Sequence, residues 1–128
     1  MENDIFFMSM AILNAWRTGH VTKHYSAVIV SKEYELLKTI IVPKNKSITE
    51  SILILNLFGC NLKYCDSNIY INFIPNANIA SCAKIKEVGR LVYYGDCNTK
   101  DLEDYSDFCI NFDYNFGSII DLLVTVDK

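Results

Sequence analysis

The start of the chain changes from a helical to a strand-like hydrophobic pattern. From Asp4 to about Arg17, apolar residues recur every three or four positions, the spacing of one helix face, and Asp4 can cap that helix. Tyr25–Val30 is a short, apolar, β-branched run, which predicts a buried strand. A tight turn at Ser31–Glu33 leads into a second strand over Tyr34–Val42. The pattern therefore predicts a helix followed by a β-hairpin.

A capping box marks the beginning of the next helix. Ser47 stands three residues before Glu50, and an apolar helix runs from there through Phe58, with Gly59 as its stop. Ile52–Phe58 is apolar on nearly all sides, so we expect neighbours to cover it all round.

Strand and helix patterns then alternate to the end of the recognisable core. Asn68–Ile74 is a third strand ended by Pro75, Ala77–Val88 a helix followed by Gly89, and Leu91–Tyr94 a fourth strand. In the third strand the residues that share one face are Ile69, Ile71 and Phe73, and those on the other are Tyr70 and Asn72. The order predicts an α/β fold: a three-layer α/β/α domain with a mixed central sheet.

The tail has a weaker pattern. Asp101–Tyr105 fits a helical turn, Phe108–Phe112 a strand, and Ile119–Val126 either a helix or an edge strand. Because no linker, repeat or low-complexity segment divides the sequence, we expect a single domain over residues 1–128.

Composition and charge narrow the functional classes. Of 128 residues, 51% are hydrophobic and 21% charged, which is typical of a globular domain. The net charge of -3 argues against broad nucleic-acid binding, which needs a clustered basic surface. No run is long enough for a membrane-spanning helix, and the Met1–Asp4 start lacks a signal-peptide pattern. We expect a cytoplasmic protein.

The cysteines support the same compartment. There are five, an odd number, with no Cys-x-x-Cys spacing, so free thiols in a reducing environment are the expectation. Cys60 and Cys65 could contribute to a metal site, but the sequence has only two histidines, His20 and His24. The spacing does not indicate a clustered zinc site.

Several segments resemble the cytidine/deoxycytidylate deaminases, the zinc-dependent nucleotide and tRNA deaminase superfamily. Phe6–Leu13 followed by Ser26–Val30 resembles the opening F-M-x-M-A…V-G-A-V-I-V, Asn56–Lys63 resembles A-R-F-G-V-S-L-K, Asn68–Pro75 resembles T-L-Y-V-T-L-x-P, and Gly89–Gly95 resembles K-R-V-V-Y-G. These matches keep their order, and the resemblance is strongest over residues 5–96 and leaves residues 97–128 unassigned. The resemblance implies the deaminase fold.

The resemblance also locates the family's catalytic signature, H-x-E followed by P-C-x-x-C, in which one His and two Cys bind zinc and the Glu transfers protons. Counting back 25 residues from Pro75 reaches Glu50, which matches the glutamate of the signature. The histidine position holds Ile48, and the two cysteine positions hold Asn76 and Ile79. Neither isoleucine nor asparagine suits zinc, so we expect no zinc cofactor and no deaminase activity.

The remaining polar candidates each have two interpretations. Glu50 is either a vestigial proton-transfer group or only the third helical residue of its capping box. Lys23 and His24 lie where the family places polar residues for sugar and phosphate, or in a solvated loop. Asn76 and Asn78 either cap the helix that follows or bind a ligand.

A fold that keeps its scaffold without its metal favours a binding role. The leading hypothesis is an inactive deaminase-like protein that serves as a partner subunit or regulator, as a homodimer or a heterodimer with a related deaminase-fold chain. One alternative is an active dCMP or cytidine deaminase with unorthodox ligands. Another is a sensor that binds a nucleotide without chemistry.

Overall fold

A five-stranded mixed sheet forms the centre of the molecule, with strand order β2-β1-β3-β4-β5. The computed structural model describes residues 2–16, 24–42, 65–94 and 100–112. The strands are β1 (Tyr25–Val30), β2 (Leu36–Val42), β3 (Asn68–Ile71), β4 (Arg90–Tyr93) and β5 (Cys109–Asn111). β1 pairs antiparallel with both β2 and β3, whereas β3 with β4 and β4 with β5 are parallel.

Helices cover both faces of this sheet. Helix α1 (Glu2–Trp16) packs on one face, and helix α2 (Ala77–Ile85) lies on the other with a short 3₁₀ helix (Lys100–Tyr105). Successive residues of a strand point to opposite faces, so the sheet contributes to two separate apolar clusters. Those on the α1 side include Val28, Val30, Tyr70 and Val92, and those on the α2 side include Ala27, Ile29, Ile69, Ile71 and Leu91. The predicted three layers are confirmed.

The bounds of β1 are those that the sequence predicts, but other elements are shorter. β2 begins two residues later than predicted, β3 ends at Ile71 instead of Ile74, and α2 ends at Ile85 instead of Val88. The 3₁₀ helix and β5 fall close to the predicted turn and strand of the tail. The predicted helix from Ser47 to Phe58 and the segment Ile119–Val126 lie outside the described residues.

Asp4 does not have the capping role that the sequence suggests. Helix α1 already begins at Glu2, so Asp4 lies within its first turn. Its carboxylate accepts a hydrogen bond of 2.5 Å from the Tyr70 hydroxyl and one of 2.7 Å from the Arg90 guanidinium. Arg90 Nε donates in turn to Asn68 Oδ1 at 2.7 Å. The network connects α1 to the starts of β3 and β4.

Helix α2 ends three residues earlier than predicted, at Ile85. Glu87 adopts a left-handed conformation with φ 61°, and its N–H donates to the Lys84 carbonyl, while the Val88 N–H donates to the Ala83 carbonyl. These two bonds form a Schellman motif, which ends the helix before Gly89 is reached. Gly89 is required for another reason, because a Cβ there would lie 2.9 Å from the Asp66 carbonyl oxygen.

No helix among the described residues is both long and apolar enough to span a membrane.

Candidate active site at the start of helix α2

The candidate site lies where β3 ends and α2 begins. Because β1 runs antiparallel to β3, with Ala27 opposite Ile71, the start of β1 lies beside the end of β3. The connection from β3 to α2 is short: Pro75 and Asn76 directly precede the first helical residue, Ala77. The segment aligned with P-C-x-x-C therefore forms the amino end of α2.

Asn76 acts as the N-cap of α2. Its backbone is extended, with φ -97° and ψ 178°, and its side-chain Oδ1 accepts a 2.9 Å hydrogen bond from the Ile79 N–H. This bond satisfies one of the N–H groups left without a partner at a helix start. The resemblance aligns Asn76 with the first cysteine ligand, and the amide oxygen of Asn76 is hydrogen-bonded to the backbone of α2.

Ile79, which the resemblance aligns with the second cysteine, belongs to the core. Its side chain is 3% exposed and lies in the apolar cluster between α2 and the sheet. Ala80 and Ala83 of the same helix share that cluster. Ile79 has an apolar side chain and no thiolate, and its burial stabilises the packing of α2 against the sheet.

The described residues at these two positions do not fit a zinc ion. Zinc prefers thiolate and imidazole, and neither a hydrogen-bonded asparagine amide nor an isoleucine side chain replaces them. Cys82, one turn further along α2, is partly buried and packs against the same apolar cluster. Across residues 2–16, 24–42, 65–94 and 100–112, no three His, Cys, Asp or Glu side chains are grouped so that they could hold a metal ion.

Asn72 is a structural residue of this region that the sequence analysis did not single out as a site residue. Its side-chain Oδ1 accepts from the Ser26 N–H at 2.8 Å, and its Nδ2 donates to the His24 carbonyl at 3.1 Å. The amide continues the pairing of β1 and β3 beyond their last ladder pair. The sequence did contain a sign of this role: Asn72 is a polar residue on the same face of the predicted third strand as Tyr70, shortly before Pro75.

Of the other predicted site residues, the structure describes His24 and Asn78. The His24 backbone is held between α1 and β3, since its N–H also donates to the Ala15 carbonyl at 3.0 Å. Asn78 lies exposed in the first turn of α2. Lys23, Ile48 and Glu50 lie outside the described residues, so the roles suggested for them stay predictions.

The amino-acid sequence matches no family model and no curated protein. Solved structures, however, are similar to this chain. RibD from Acinetobacter baumannii, form 1, superposes with a TM-score of 0.62 at 19% identity over 98% of this chain, which spans only 38% of the RibD chain. The apo dCMP deaminase of cyanophage S-TIM5 superposes with a TM-score of 0.58 at 11% identity, covering 86% of this chain and 96% of the phage protein.

These similarities establish the fold. The chain has the mixed α/β fold of these two structures, as the resemblance of its sequence segments to cytidine/deoxycytidylate deaminases predicts. At identities of 19% and 11%, activity does not transfer with the fold.

Proposed function

We propose that this deaminase-fold chain is catalytically inactive and acts by binding, as a partner subunit or regulator. The observation that carries the proposal is the start of α2, where Asn76 caps the helix and Ile79 packs in the core. In the family these are the positions of two zinc thiolates. Both substitutions serve the folded scaffold, as expected for a protein that keeps the fold and not the metal.

The chemistry supports an inactive protein. Zinc lowers the pKa of its bound water from about 15.7 to about 7, which is worth about 12 kcal/mol toward hydroxide at neutral pH. A positioned general base such as Glu50 contributes only about 10²–10⁴-fold, or roughly 3–5 kcal/mol. A glutamate without the metal therefore falls well short of what the reaction needs.

The proposal includes association with a second chain. Partners of this kind are a second copy or a related deaminase-fold chain, and the apolar segment Ile52–Phe58 is one candidate surface because it needs cover on all sides. A nucleotide ligand held in the old pocket without chemistry is the alternative binding role.

Metal content and activity test the proposal together. We expect the protein, expressed with ample zinc, to contain far less than one zinc per chain by elemental analysis and to release no ammonia from cytidine, dCMP or adenosine. Glu50→Ala is the matched control, since any trace activity that survives it comes from a contaminant. One zinc per chain, lost on chelation together with an activity that Glu50→Ala abolishes, would contradict the proposal and favour an active deaminase with unorthodox ligands.

A thermal-shift screen with nucleosides and nucleotides separates the two binding roles. A regulator that works only through protein contacts shows no shift, whereas a nucleotide sensor is stabilised by its ligand through mass action.

A further inference from the structure

We draw no further inference here: the strongest candidate, the apolar surface patch that the exposed side chains of Phe6 and Leu13 form on the outer face of α1, carries nothing because nothing in the described part of the chain shows what covers it.

Discussion

At the scale of single residues, hydrogen bonding and packing define the start of α2. Asn76 accepts a hydrogen bond from a backbone N–H, and Ile79 packs in the core. The sequence offered helix capping as one of two interpretations of Asn76, whereas the alignment of both residues with the cysteine ligands of the family stays a prediction. The sequence could not identify the partners of Asp4, since Arg90 is 86 residues away.

The Asp4 network predicts a pH-dependent stability. Burial raises the pKa of Asp4, but hydrogen bonds from Arg90 and Tyr70, with the charge of Arg90, outweigh it and bring the pKa below the ordinary 3.8. A lowered pKa in the folded state means that the ionised carboxylate stabilises the protein above about pH 4, and that this contribution is lost as the pH falls through the folded-state pKa.

Asp4→Asn should therefore be less stable than the wild type by about 2 kcal/mol at pH 7, the usual magnitude for a hydrogen bond to a charged group. The difference should shrink as the pH is lowered toward 2, which urea denaturation at several pH values would measure. Asp104→Asn alters an exposed aspartate of the 3₁₀ helix and should stay within about 0.5 kcal/mol throughout. A constant deficit for Asp4→Asn at all pH values would contradict the assignment.

At the scale of elements, the periodicity of apolar residues predicted which segments are helix or strand better than where they end. The sequence predicts that α2 continues to Val88, the residue before Gly89. The helix instead ends through a left-handed glutamate, and the glycine allows the backbone of Asp66 to approach closely. The approach of Asp66 to Gly89 is a contact outside the helix, so the local pattern of α2 does not encode it.

The left-handed Glu87 gives a signed prediction about the end of α2. Glu87→Gly should be more stable than Glu87→Ala by about 1 kcal/mol, because both variants remove the same side chain and only alanine has a Cβ that strains a left-handed backbone. Thermal or chemical denaturation of the two variants measures the difference. At Lys86, where φ is -81°, the order should be reversed, with alanine at least as stable as glycine. The same order at both positions would refute the Schellman assignment.

At the scale of the whole molecule, the mixed sheet and its two covered faces follow from the order of elements, and the superposed structures agree with it. The edges of the sheet were less predictable. The sequence predicts a strand over Tyr34–Val42, but only the strand order shows that β2 is an edge of the sheet formed by the described strands, with Leu36, Leu37 and Ile41 exposed within the described part of the chain. The periodicity of side chains along a strand indicates which residues share a face of the sheet. Which strands lie next to each other depends on pairing between distant parts of the chain.

The family fold also predicts where a metal site could be rebuilt. Ile48→His, Asn76→Cys and Ile79→Cys together should bind cobalt with the absorption of a tetrahedral thiolate complex, since the resemblance implies that these positions lie around one point. Loss of the Asn76 cap and of the buried Ile79 side chain should lower stability by several kcal/mol, so folding is checked first. The control is Ile48→His with Asn76→Ser and Ile79→Ser, which retains a helix cap and lacks thiolates, and it should bind no cobalt.

If the cysteine variant is folded and yet shows no cobalt absorption, the alignment of Glu50 with Pro75 is incorrect, and the argument for a lost zinc site fails with it.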